Sequence, residues 1–69
     1  MNSKKNAKQA FGTRVKEARE KQELTQVQVA EKAGMTVTYF AMIERGEVNP
    51  SFEKLKSIAE VLKLKITIS

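Results

Sequence analysis

The chain has 69 residues, no cysteine, no histidine and a formal net charge of +5. Disulfide staples and zinc sites of the Cys/His type are excluded, no metal or cofactor is expected, and so short a chain buries only about 60% of its unfolded surface, which makes oligomerisation a common source of added stability. Residues 1–22 carry seven Lys/Arg against two Glu, while residues 23–46 come to −1 and residues 47–69 to +1, so the basic excess lies in the first third and fits either a polyanionic partner or a solvated terminus.

The longest uninterrupted apolar run is the five residues Tyr39 to Ile43, against about 20 for a membrane span. The N-terminus has no apolar segment of signal-peptide length. No membrane association is expected, and the absence of cysteine is compatible with a reducing cytosol. Catalysis has little to work with: there is no His or Cys, no phosphate-binding glycine loop, and no paired carboxylates outside ordinary helix surfaces. The expectation is a protein that is not an enzyme.

Residues 1–6 are polar, with Lys4 and Lys5, and read as a flexible basic arm, either disordered or touching phosphate. The first helix is expected from Ala7 to Gln22, with Phe11, Val15 and Ala18 on one face. Gly12 should weaken its first turns slightly. Glu23 and Leu24 connect it onward, with Leu24 turning back into the core. Thr25 should cap a second helix beginning at Gln26, since Thr25 and Gln28 have capping-box spacing. Val29, Ala30 and Ala33 form its inward face, and Gly34 ends it.

The third helix is expected from Thr36, which can cap it, to Arg45, with Gly46 as its stop. Phe40 and Ile43 point inward and Tyr39 is half-buried. Val37, Thr38, Ala41, Met42 and Arg45 are left on the outward side. Asn49-Pro50 marks a turn, and Ser51 caps a fourth helix whose inward face is Phe52, Leu55, Ile58, Ala59 and Leu62. After Leu62 the period becomes two: Leu64, Ile66 and Ile68 alternate with polar residues, which reads as a strand. A frayed tail or a longer fourth helix are the alternatives.

Residues 25–46 thus form two short helices joined by a glycine turn, with the pattern Gln26, Ala30, Gly34, Phe40, Ile43, Glu44, Gly46. With Ile43-Glu44-Arg45-Gly46 and Asn49-Pro50-Ser51, the sequence resembles the lambda-repressor-like, Cro/repressor-type (XRE) helix-turn-helix family over about residues 11–62. That resemblance implies an all-α, compact bundle of four helices, five at most. It implies a transcriptional regulator that reads the major groove of double-stranded DNA, located in the cytoplasm and associated with the nucleoid. Gln26 would anchor to a phosphate. Thr36, Val37, Thr38 and Met42 fall at the recognition-helix positions, and Tyr39, Arg45 and Arg14 near the DNA backbone. Arg19 and Glu44 would form an ion pair tying the first helix to the third.

The sequence departs from the family pattern at Val37 and Met42, where donors are common, and at Glu23, where glycine is common. No bidentate base contact is available from Val37, Thr38 or Met42, so readout should lean on thymine methyl groups, DNA shape and backbone positioning. The same residues also read as a bland surface or as an apolar patch for a protein partner. A lone strand needs a partner from another molecule. Residues 63–69, through Leu64, Ile66 and Ile68, are therefore expected to pair across a homodimer on a palindromic operator. This layout is similar to HipB-type antitoxins, which implies a cognate toxin as a further possible partner. Domain organisation is thus residues 1–6 as arm, 7–62 as the DNA-binding domain and 63–69 as a dimerisation tail.

Overall fold

A computed structural model describes residues 7–65. They form four helices: α1 (Ala7–Lys21), α2 (Gln26–Ala33), α3 (Val37–Glu44) and α4 (Phe52–Leu62). Polar residues set the starts of the last three. Thr25 Oγ1 accepts from the Gln28 backbone N–H at 3.0 Å, and Gln28 Oε1 accepts in return from the Thr25 N–H at 2.8 Å. Two otherwise orphaned donors are satisfied reciprocally, as a capping box requires. Thr36 Oγ1 accepts from Tyr39 N at 3.1 Å, and Ser51 Oγ from Lys54 N at 3.3 Å.

The helices share one kind of ending. Leu24, Met35, Glu47 and Leu64 donate their N–H groups back to the carbonyls of Arg19, Ala30, Met42 and Ala59, at 3.1, 2.9, 2.9 and 2.8 Å. The residue before each sits at positive φ: Glu23 at 60°, Gly34 at 76°, Gly46 at 74° and Lys63 at 60°. This is the Schellman arrangement, in which a left-handed residue turns the chain and the following side chain folds over the helix end. Leu24, Met35 and Leu64 fold over in this way and pack against the core. At Glu23 and Lys63 the left-handed conformation is held by residues with a Cβ, which costs about 1–2 kcal/mol that glycine avoids.

The core is Val15, Val29, Ala30, Phe40, Ile43, Ile58 and Leu62. All four helices contribute to it, with α2 packed on α3 and α4, and α1 on α3 and α4. Gly12 is where α1 meets α3. A Cβ there would lie 2.4 Å from the Ile43 carbonyl oxygen and 2.6 Å from that of Glu44. The two backbones touch, so Gly12 is a packing requirement rather than a simple weakness in the helix.

Two further expectations change. Phe52, placed on the inward face of the fourth helix, is 59% exposed. It lies six residues before Ile58, which at 3.6 residues per turn rotates it about 120° away. Val61 packs against the core instead. The second change is at the tail. Among the described residues there is no strand. Lys63 turns left-handed and Leu64 docks on its own core, so the Schellman ending claims the first residue assigned to the dimerisation strand. Ile66 and Ile68 lie outside the described residues, as does the arm 1–6.

Candidate nucleic-acid interface

The site is organised around one carboxylate. Glu44, in the last turn of α3, is 8% exposed. Burying an ionised carboxylate requires compensating donors, and three are present. Arg19 Nε donates to Glu44 Oε2 at 2.6 Å and Arg19 Nη2 to Oε1 at 3.2 Å. Gln26 Nε2 donates to the same Oε1 at 2.9 Å. Arg19 Nη1 also reaches the Leu24 carbonyl at 2.9 Å. One guanidinium thereby ties α1, α3 and the α1–α2 connection together. The hydrogen bond to Glu44 pushes the Arg19 pKa further up, against the opposing effect of burial.

Gln26 is drawn into this cluster. The expected role for its amide was a phosphate contact, and here one of its two N–H donors is committed to Glu44. The second N–H and the first-turn backbone N–H groups of α2 are what it can offer outward. The commitment fixes where Gln26 points, because its acceptor is itself fixed by Arg19.

Gln26 and Arg45 line one groove, together with Thr13, Lys16, Glu17 and Glu20 of α1 and the Arg19–Glu44 pair. Lys16 is the residue that reading the sequence passed over. The signal was available: Lys16 lies three residues before Arg19, hence on the same side of α1, and Arg19 was expected to meet Glu44. Arg14 lines a different groove, with Glu17, Lys21 and the Leu62–Leu64 end of α4. The two grooves share Glu17 and Glu20.

On α3, Val37 is 38% exposed and Thr38 is exposed, so both present side chains to solvent. Thr36 is exposed too, but its oxygen serves as the α3 cap. Met42 and Tyr39 are half-buried. Tyr39 carries the Lys54 ammonium 5.8 Å from its ring centroid, within cation–π range, which links α3 to the first turn of α4.

Arg45 stands just past α3 with its side chain 56% exposed. Its Nε and Nη2 donate to Glu47 Oε2 and Oε1 at 2.8 and 3.0 Å, a two-pronged fork. The hydrogen bond raises the Arg45 pKa and lowers that of Glu47.

Together these residues make a short helix with a mostly apolar outward face, flanked on one side by amide, ammonium and guanidinium donors. Such a surface suits a polyanion whose backbone runs past the donors while a groove receives the helix. Residues 15–68 match the helix-turn-helix (HTH_3) family. The immunity repressor protein of Bacillus phage phi105 is 43% identical over 56 residues, which cover 81% of this chain and 39% of the repressor. The chain therefore spans about two-fifths of that relative's length. The crystal structure of the restriction-modification controller protein C.AhdI from Aeromonas hydrophila superposes with a TM-score of 0.80 at 29% identity, covering 84% of this chain and 88% of that one. With most of its length matched in sequence and in fold, this chain belongs to the helix-turn-helix family.

Proposed function

We propose that the chain is a sequence-specific, DNA-binding transcriptional regulator. The observation that carries the reading is the arrangement of α3: Val37 and Thr38 exposed on it, with Gln26, Lys16 and Arg45 along one flank. Family membership and the repressor and controller names of its relatives support it. α3 enters the major groove, Val37 and Thr38 face base edges, and the flanking donors hold phosphates. Val37 offers only apolar contact, which suits thymine methyl groups. Most of the affinity therefore comes from the phosphate backbone, and DNA shape contributes to specificity.

The active form is a homodimer, in which two copies of α3 about 34 Å apart read a two-fold symmetric operator. Ile66 and Ile68 remain the tail residues proposed for that contact. Leu64 serves its own protomer's core. A protein partner such as a toxin is a second reading, favoured by Phe52, a large apolar side chain 59% exposed at the start of α4.

The test is selection of bound sequences from a random duplex pool, followed by anisotropy titrations at several salt concentrations. A symmetric consensus bound at least a thousandfold tighter than random duplex supports the proposal. Thr38→Glu and Arg45→Glu variants that keep their helical circular dichroism should lose that binding. Micromolar or weaker binding to every duplex, independent of salt, would sink the DNA reading and favour the protein-interaction one.

A further inference from the structure

We propose that Glu47 is an intramolecular competitor for the phosphate on Arg45. The inference rests on the DNA-binding reading above and adds a residue that reading does not use.

The geometry is specific. The Nε–Nη2 edge of a guanidinium is one of the edges with which arginine grips a phosphate or a carboxylate two-pronged. In this protein both donors of that edge are taken by the two oxygens of Glu47, at 2.8 and 3.0 Å. The backbone between them is fixed. Gly46 is left-handed at φ 74° and is buried against Gln9, where an added Cβ would meet Cγ at 2.6 Å. The Glu47 N–H is bonded to the Met42 carbonyl at 2.9 Å. Residues 45 and 47 are therefore held at a spacing that brings their side chains together whenever the helix end is intact.

The consequence is that Arg45 enters the encounter with DNA already neutralised. A phosphate that takes the fork must expel Glu47, and the expelled carboxylate stays near a polyanion that repels it. While Glu47 holds the fork, Arg45 neutralises no phosphate and so releases no counterion from the DNA. Glu47 thus lowers affinity for every duplex. Arg45 contributes in full only where the DNA backbone lies in register to displace the carboxylate.

The experiment compares Glu47→Gln with Glu60→Gln on a random-sequence duplex and on the selected operator. Glu60 is exposed on α4 and outside the groove, so it controls for one unit of net charge. Glu47→Gln should tighten random-duplex binding about two- to fivefold more than Glu60→Gln, the range expected of an exposed ion pair. Its plot of log affinity against log salt should steepen by about 0.9, one additional phosphate contact. In an Arg45→Gln background the extra gain should vanish. Equal effects of the two Glu variants, or a loss of affinity in Glu47→Gln, overturn the competitor role while leaving DNA binding intact. Failure of the wild type to bind any duplex in a salt-dependent manner removes both.

Discussion

Replacing Glu44 with Gln tests the cluster that holds the proposed interface together. The substitution keeps shape and removes charge. Glu44 is 3% exposed at its side chain and Arg19 12%, so the guanidinium left behind is a mostly desolvated cation. Breaking one side of a fully buried pair costs about 3–5 kcal/mol. Two features reduce that here. Arg19 keeps its bond to the Leu24 carbonyl, and the Glu20 carboxylate lies 3.9 Å from Nη2, although it is 56% exposed. Glutamine also retains one acceptor. A loss of about 2–4 kcal/mol is the expected outcome. For a domain whose whole stability is about 3–10 kcal/mol at 0.05–0.15 kcal/mol per residue, that is a large part of the total. Urea unfolding followed by circular dichroism measures it. A double-mutant cycle with Arg19→Gln should give a coupling of at least about 1 kcal/mol. A loss below about 1 kcal/mol with negligible coupling would refute the argument that burial makes this pair count.

Gly12→Ala should destabilise by about 2 kcal/mol or more, since its Cβ would fall 2.4 Å from a backbone oxygen; helix propensity alone predicts a gain of about 1 kcal/mol, so the sign of the unfolding result decides. Glu23→Gly should stabilise by about 0.5–1 kcal/mol, the left-handed strain relieved less the added chain entropy, seen as a rise in Tm of a few degrees. Because its partner lowers the Glu47 pKa, the Arg45–Glu47 bond is fully present above the ordinary carboxylate value of 4.5 and is lost as pH falls through the depressed one; the Arg45 Nε–H resonance should therefore begin to move only below that value, and should not show this titration in Glu47→Gln. Lys16→Gln should weaken binding to operator and random duplex alike and flatten the salt slope by about 0.9, whereas Arg14→Gln should change it less.

Most of the fold was legible because its signals are local. Thr25 with Gln28, Thr36, Gly34, Gly46 and Ser51 each act within one helical turn, and spacing is enough to find them. Misreadings arose where a distant backbone decides. Gly12 looks like a defect in α1 until α3 is laid across it. Phe52 shares an apolar pattern with Leu55 and Ile58, but its rotation and its place at the helix start leave it facing solvent. Lys63 and Leu64 have the alternation of a strand, yet the same two residues meet the needs of a Schellman ending: a left-handed turn, then an apolar side chain to cover it. Glycine is the usual mark of that ending, and at Glu23 and Lys63 the mark is missing.

The donor flank was harder to read than the helices because charge type does not reveal partnership. Arg19, Arg45 and Lys16 are equivalent in composition. Arg19 is bound by a buried carboxylate and cannot leave it without a large cost. Arg45 is bound by an exposed carboxylate, which the competitor proposal has it exchange for a phosphate. Lys16 shares the groove with Arg45. The sequence difference between the first two cases is only the position of the acid. Glu44 falls on the inner side of α3 behind Ile43, whereas Glu47 lies beyond a left-handed glycine that turns it back to solvent. Burial of the carboxylate, set by where α3 ends, thus separates the arginine that builds the scaffold from the arginine proposed to meet DNA.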